Sequence, residues 1–149
     1  MSKVLKLILQ FAKTHETRTG NQLKRLNGEL RRSEAFNQQV VEYVQDYEKQ
    51  MLDTATKGAT VAFMQDSSSF RNRLQAGVEE QEGQIAKLNV AMVNAREQAI
   101  ESKLRVQGIE KVLARKKAEA LAERARRERL ELEDCIISRL HGDSGTKSA

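Results

Sequence analysis

Apolar side chains recur every three or four residues through the second half of the chain. From Phe70 onward the recurring positions are Phe70, Leu74, Val78, Gln81, Ile85, Leu88, Met92, Ala95, Ala99, Ser102, Val106, Ile109 and Leu113. Nearly all of them are apolar or small, and this 3.5-residue repeat is typical of the seam of a coiled coil. Because the chain has no proline, Phe70 to Leu140 is predicted to be one helix. Its 71 residues would span roughly 106 Å at ~1.5 Å per residue, so it requires a long partner.

The first third of the chain supplies a second repeat of the same period. Its positions are Leu5, Leu9, Ala12, Glu16, Thr19, Leu23, Leu26, Leu30, Ser33, Asn37, Val40, Val44, Tyr47 and Met51. The match is weak at Glu16–Thr19 and at Ser33–Asn37, and two glycines interrupt the segment. Glycine lowers helix stability by ~1 kcal/mol relative to alanine, so this helix is predicted to be the less regular one.

Two polar clusters, Asp53–Thr60 and Asp66–Ser69, separate the two repeats and contain residues that favour turns and helix caps. The predicted organisation is a first helix at about 2–52, a connection at 53–66 and a second helix at about 67–141. Residues 142–149 are predicted to be a flexible tail, with Gly142 placed to end the helix. Two long helices with a short connection must run antiparallel. The fold class is therefore all-α, a long two-helix antiparallel coiled-coil hairpin forming a single domain over residues 1–141.

The position of the reversal predicts which residues face each other. If the chain reverses near residue 59, the numbers of paired residues sum to roughly 119. Tyr47 then lies near Phe70 and Tyr43 near Leu74, whereas Gly20 and Gly28 lie opposite Ala99 and Ala91, which would permit close backbone approach. The second helix is predicted to extend beyond the end of the first from about residue 118 to Leu140. An unpaired helix with apolar residues indicates a surface for another protein.

Composition narrows the class of protein. Hydrophobic residues make up 39% of the chain and charged residues 32%, without tryptophan, which is too little bulky apolar material for a thick globular core but enough for a two-helix seam. Cys135 is the only cysteine, so no intrachain disulfide is possible and a reducing compartment is expected. The apolar N-terminal run is short and contains Lys6, unlike a secretory signal, and no stretch reaches the ~20 apolar residues of a membrane span. A soluble, cytoplasmic protein is predicted.

The residue types needed for catalysis are scattered. The two histidines, His15 and His141, are distant in sequence, and His15-Glu16 lacks the second histidine of a zinc-binding HExxH pair. Adjacent carboxylates such as Glu79 and Glu80 are typical of solvated helix faces. We therefore predict no catalytic residues, no cofactor and no metal.

The net charge of +5 is concentrated in one segment. Residues 103–129 carry ten basic and four acidic groups. The part from Lys111 to Arg129 has three interpretations: a solvated face with intrahelical partners, a nucleic-acid surface without stacking aromatics, or a surface for an acidic protein. Four of the six aromatics, Tyr43, Tyr47, Phe63 and Phe70, lie close to the reversal. They either staple the hairpin tip or serve as binding anchors.

Several segments resemble the FliJ family of flagellar type III export proteins. The resemblance covers nearly the whole chain: Leu7-Ile-Leu-Gln-Phe-Ala12 with Gln22-Leu23, then Val40-Val-Glu-Tyr43-Val-Gln-Asp-Tyr47, then Ser69-Phe70-Arg-Asn-Arg-Leu74 with Gln81 and Leu88, and the charged run to Leu132-Glu-Asp134. The tyrosine pair followed by phenylalanine and leucine is the most specific part of it.

The resemblance implies a non-enzymatic stalk that inserts its helix ends into the hexameric export ATPase and promotes its assembly and activity. It also implies contact with the cytoplasmic region of the export gate protein FlhA and with export chaperones, at the cytoplasmic face of the inner membrane, without nucleic acid. The implied gate-contacting residues are Val40, Tyr43, Tyr47, Phe70, Leu74, Gly77 and Gln81. The basic residues expected to contact the ATPase ring are Arg115, Lys116, Lys117, Arg124, Arg126 and Arg127. An escort for export chaperones or subunits, or the equivalent stalk of a virulence secretion system, is the alternative.

Overall fold

The chain forms two long α-helices packed against each other in antiparallel orientation, as seen in a computed structural model. Helix α1 spans Ser2–Thr56 and helix α2 spans Val61–Thr146. The structure describes the backbone of residues 2–146 and the side chains of residues 3–143. No strand occurs among these residues, and the predicted all-α hairpin is confirmed.

The chain divides into two compact units, and each unit contains part of both helices. One unit comprises Thr14–Lys103 and contains the reversal of the chain. The other comprises Met1–Lys13 together with Leu104–Ala149. The predicted single domain at 1–141 thus contains two units, each with its own stretch of seam.

The unit Thr14–Lys103 buries the predicted seam positions of both helices. Leu30 and Val44 of α1 are buried, as are Val78 and Ala95 of α2. Every other predicted seam position in this unit is at least half-buried, except Phe70, which is 37% exposed. The seam also continues through the polar positions Glu16–Thr19 and Ser33–Asn37, because the heptad spacing determines which face is inward whatever the side chain.

The second unit continues the seam on its own residues. Ala12 is buried on α1 and Val106 on α2, while Leu5, Leu9, Ile109 and Leu113 are half-buried. An ion pair joins Lys13 Nζ to Glu110 Oε1 at 3.7 Å. Both groups are about half exposed, so the pair contributes well under about 1 kcal/mol.

The connection is shorter than the predicted 53–66. Helix α1 continues to Thr56 because two threonines hydrogen-bond back within the helix: Thr54 Oγ1 donates to Gln50 O at 2.9 Å, and Thr56 Oγ1 donates to Asp53 O at 2.7 Å. Gly58 then adopts a φ of +93°, a left-handed conformation that glycine takes without steric cost. Thr60 caps α2, since its Oγ1 accepts a hydrogen bond from Phe63 N at 3.2 Å.

The second polar cluster is also helical, so the predicted start of helix 2 at about residue 67 is wrong. Ser67 is buried because it lies one heptad before Leu74 and therefore on the inward face. At the other end α2 continues beyond Gly142 to Thr146, so the tail predicted at 142–149 is helical as far as residue 146. Residues 147–149 lie outside the described residues.

The predicted close approach at the two glycines of α1 is wrong. Gly20 and Ala99 border one shallow depression on the surface, but a Cβ added at Gly20 would find no atom within 4 Å. At Gly28 an added Cβ would meet the side chain of Arg32 at 3.6 Å, on its own helix. The small residues therefore leave open space instead of drawing the two backbones together.

Candidate interaction surfaces

An aromatic pair joins the two helices near the reversal. The rings of Tyr47 and Phe70 have centroids 5.1 Å apart and planes inclined at 65°, an edge-to-face arrangement worth about 0.5–1.5 kcal/mol beyond area burial. Beside it, Arg71 Nε contacts Glu48 Oε1 at 2.8 Å. The predicted proximity of Tyr47 and Phe70 is confirmed. The residue numbers sum to 117 for Tyr47 with Phe70 and to 119 for Glu48 with Arg71, close to the predicted sum of roughly 119.

The other predicted gate-contacting residues lie on the same two stripes. On α1 the spacing of Val40, Tyr43 and Tyr47 is three and four residues. On α2 Phe70, Leu74, Gly77 and Gln81 are spaced by four, three and four residues, so each set follows one side of its helix. Val40, Tyr47, Leu74 and Gln81 are half-buried, whereas Tyr43, at 53% exposed, and Gly77 face solvent. We call this set of seven residues the tip surface. Its exposed aromatic area comes from Tyr43 and Phe70.

Aromatic residues outside the tip surface are exposed as well. Phe36 is 58% exposed and Phe63 is 44% exposed. Of the two interpretations of the aromatics, the staple therefore holds for Tyr47 with Phe70, while Tyr43 and Phe63 remain available as anchors. Packed and exposed rings occur together in one short region because a two-helix seam is too thin to bury every ring.

A buried polar layer lies further along the same unit, and sequence analysis did not anticipate it. Thr19 Oγ1 and Ser102 Oγ are 2.8 Å apart, and both residues are buried. Thr19 Oγ1 also lies 3.0 Å from Glu16 O, and Ser102 Oγ lies 2.9 Å from Ala99 O. The seam lists contained both residues, but their pairing follows only from the register, whose sum here is 121.

A second polar position in the seam is not satisfied. The Oδ1 atom of Asn37 is buried without a hydrogen-bond partner. An orphaned buried acceptor costs about 1–3 kcal/mol, and asparagine within a coiled-coil seam is known to favour one register at the expense of stability. Asn37 is therefore expected to lower the stability of the seam at this position.

Helix α2 extends past the seam as an exposed segment. From Ala114 to Asp143 every side chain is exposed except that of Glu123. We call residues 114–143 the overhang. Exposure begins four residues before the predicted start at about 118, because Leu113 is the last half-buried apolar position of the seam.

Part of the basic charge of the overhang is neutralised within the helix. Glu123 accepts hydrogen bonds from Arg126 Nε and Nη2 at 3.1 and 2.8 Å and from Arg127 Nε at 3.3 Å. The hydrogen bonds from Arg126, reinforced by the charge of Arg127, hold the pKa of the Glu123 carboxyl below its ordinary value of 4.5. Glu128 pairs with Arg124 at 3.4 Å. Three of the six predicted ring-contacting residues thus have acidic partners on their own helix.

The other three residues predicted to contact the ATPase ring have no such acidic partners among the described residues. Arg115, Lys116 and Lys117 are exposed, and within the described part of the chain no carboxylate lies within 4.0 Å of them. They form a continuous cationic turn at the start of the overhang. The solvated-face interpretation therefore fits Arg124, Arg126 and Arg127 better than it fits these three residues.

The described residues carry no metal-binding cluster and no membrane-spanning helix. No group of three or more His, Cys, Asp or Glu side chains there is arranged to hold a metal ion. No helix of the described chain is long and apolar enough to cross a membrane. Cys135 is a free, exposed thiol.

The fold and its exposed surfaces define a coiled-coil hairpin protein in which one helix continues beyond the seam. The family model described as the flagellar FliJ protein matches residues 1–145. The chain therefore belongs to the FliJ family, whose members are non-catalytic components associated with flagellar type III protein export. No curated protein and no solved structure matches the chain.

Proposed function

We propose that the chain is a stalk of the flagellar type III export apparatus, which inserts its helix ends into the hexameric export ATPase and links that ATPase to the export gate protein FlhA. The observation that carries the proposal is the exposed, basic start of the overhang. A helix that leaves its seam with cationic side chains in solvent has the charge and the free surface needed to enter an acidic ring.

The ATPase role is tested by mixing the chain with the cognate flagellar export ATPase. Hydrolysis rate and hexamer formation are expected to rise with the concentration of the chain. No stimulation at saturating chain would remove the stalk assignment. Tight, salt-dependent binding to random duplex DNA would favour a nucleic-acid arm instead.

Charge reversal distinguishes the two groups of basic residues. The triple substitution Arg115→Glu, Lys116→Glu and Lys117→Glu is expected to raise the concentration for half-maximal stimulation by about tenfold or more, because it removes unpaired positive charge. Reversal at Arg124, Arg126 and Arg127 is expected to weaken stimulation less, since these residues already share charge with Glu123 and Glu128.

A matched control keeps the change in charge and moves it along the helix. Lys87→Glu, Arg96→Glu and Lys103→Glu alter three exposed basic residues of α2 outside the overhang. This variant should retain normal stimulation. Equal loss in the control and in the Arg115–Lys117 variant would mean that net charge, rather than a contact, is responsible.

Contact with the export gate is assigned to the tip surface. Tyr43→Ala with Phe70→Ala is expected to abolish flagellar protein export and binding to the cytoplasmic region of FlhA, while ATPase stimulation is retained. Hot-spot aromatics typically contribute 2 kcal/mol or more to binding, so a loss of affinity of about thirtyfold or more is expected by calorimetry.

The control for the tip surface uses an aromatic residue of similar exposure. Phe36→Ala removes an exposed ring outside the set and should leave export unchanged. Circular dichroism monitors folding, because Phe70 also contacts Tyr47 across the seam. If the Tyr43/Phe70 variant loses helix content, a Tyr43→Ala variant alone tests the contact; normal export in that variant would contradict the assignment.

A second candidate function is that of a helical escort for export chaperones or subunits. It is favoured by exposed apolar side chains at the start of α1, where Ile8 and Phe11 face solvent and Phe11 is 68% exposed. Chaperone binding that is lost in a Phe11→Ser variant, in a chain that does not stimulate the ATPase, would support the escort over the stalk.

A further inference from the structure

The apolar stripe of the overhang lies on a different side of α2 from the seam. The seam ends at Leu113, and its heptad continuation is mixed, with the polar Lys116, Arg127 and Asp134 among the apolar Leu130 and Ile137. A more continuous apolar stripe begins one residue after Leu113. It consists of Ala114, Ala118, Leu121, Ala125, Leu132, Ile136 and Leu140, with Glu128 as its fifth position. One residue corresponds to about 100° around a helix, so the stripe begins on a side of α2 that is turned away from α1.

The stripe divides into a half with small residues and a half with large ones. Three of its first four members are alanines, whereas Leu132, Ile136 and Leu140 form the second half, and all three of these are at least half exposed. When two copies of the stripe are placed side by side in antiparallel orientation, small residues face large ones: Ala114 faces Leu140 and Ala118 faces Ile136. Leu121 then meets Leu132, and Ala125 meets Glu128 near the centre.

The charge of the overhang divides at the same place. Residues 111–126 carry six basic and two acidic groups, a net charge of +4, whereas residues 128–143 carry two basic and five acidic groups, a net charge of −3. Antiparallel self-pairing centred on Arg127 sets the +4 half of one copy against the −3 half of the other. Parallel pairing would set like charges together, which is unfavourable.

We infer that the overhang is a self-association surface, through which two copies of this chain pair antiparallel along the stripe 114–140. The two-fold axis passes near Arg127, so the interface is isologous and closes as a dimer. The stripe extends over 27 residues, nearly four heptads, and an apolar repeat of about three to four heptads is the sequence signature of a coiled coil. The proposal does not depend on the ATPase or gate assignments.

The size pattern also explains the alanines. Alanine at one side of a helix–helix contact lets a leucine or isoleucine of the opposing helix pack closely, as alternating large and small residues do in well-packed cores. A central polar layer containing Glu128 fixes the register, in the way that single polar positions do in coiled coils.

Cysteine pairs test the geometry of the full-length chain. In a Cys135→Ser background, Ala118→Cys and Ile136→Cys are combined in one chain. The two positions are 18 residues apart, roughly 27 Å along one helix, so they cannot form a disulfide within a chain. Mild oxidation should therefore give a covalent dimer in high yield, visible on a non-reducing gel.

Two matched controls separate antiparallel pairing from other contacts. Either cysteine alone should give little dimer, whereas mixing the two single-cysteine chains should give the heterodimer; strong dimer formation by Ala118→Cys alone would indicate parallel pairing and overturn the proposal. Lys116→Cys with Ser138→Cys keeps the same antiparallel register, with the two cysteines 22 residues apart, but places them on the opposite side of the helix. Cross-linking of this control as strong as that of the 118/136 pair would show collision without a defined interface.

Sedimentation equilibrium of the unmodified chain gives the second readout. A mass twice that of the 16.9 kDa chain is expected to appear with rising concentration in low salt, and to decline as salt screens the two halves. Leu132→Glu with Ile136→Lys keeps the net charge unchanged and should leave the chain monomeric with unchanged helix content. A wild-type chain that remains monomeric at about 100 μM in low salt would overturn the proposal.

Discussion

At the scale of single residues, the layer of Thr19 and Ser102 has three hydrogen-bond contacts but only two donor hydrogens. Two hydroxyl groups supply two donor hydrogens, yet the two oxygens are within hydrogen-bond distance of each other and of the carbonyls of Glu16 and Ala99. Only one hydroxyl can donate across the seam at a time, while the other donates to the carbonyl of its own helix. The layer is therefore satisfied in two alternative arrangements, and either one links the helices in a fixed register.

A double-mutant cycle measures this link. Thr19→Val and Ser102→Ala are each expected to lower the free energy of unfolding by about 1 kcal/mol, since each removes the bond across the seam. The double variant should lose less than the sum of the two, because both single variants remove the same interaction. Urea denaturation of the four proteins gives the coupling energy.

The control for this cycle is a threonine that bonds only within its own helix. Thr54 is exposed, and its Oγ1 donates to Gln50 O. Thr54→Val should combine additively with Ser102→Ala. Additivity in the Thr19/Ser102 cycle as well would contradict a direct hydrogen bond between the two side chains.

At the scale of elements, the helix phase follows from the sequence while the helix ends do not. The heptad spacing identifies the inward face even where Thr19 and Asn37 occupy it, because the period depends on helix geometry rather than on each residue's polarity. Threonine and serine are ambiguous near helix ends. Thr54 and Thr56 satisfy their hydroxyls within the helix, and Ser67 fits the inward face. Side-chain hydroxyls that suit both a turn and a helix leave the connection undetermined by the sequence.

The reversal between the helices depends on Gly58. Its φ of +93° lies in the left-handed region, which costs other residues about 1–2 kcal/mol. Gly58→Ala is therefore expected to destabilise the hairpin by about that amount in thermal or urea unfolding. The matched variant is Gly83→Ala, at a helical glycine where an added Cβ meets no atom within 4 Å. This change should stabilise the protein by about 0.5–1 kcal/mol, and equal effects at the two glycines would contradict the role of Gly58.

At the scale of the whole molecule, the chain combines a regular seam with surfaces that the seam does not use. The tip aromatics could be assigned from the sequence because the register predicted Tyr47 beside Phe70. The solvated-face interpretation of the basic segment predicts acidic partners on the same helix, and the ion pairs of Arg126 and Arg127 with Glu123 confirm it for these residues. The sequence does not show that Arg115, Lys116 and Lys117 differ from them, because side-chain rotamers decide which of the possible ion pairs form.

Between Leu113 and Ala114 the apolar residues shift from the seam to another side of α2. Binding of a second helix to the stripe therefore leaves the contacts between α1 and α2 in place. A helix that docks on the stripe approaches α2 from a side that α1 does not occupy, so α1 keeps the contacts of Leu5 and Leu9. No unzipping of the hairpin precedes association. The heat-capacity change on binding should therefore scale with the newly covered stripe alone, without a contribution from melting of the paired helices.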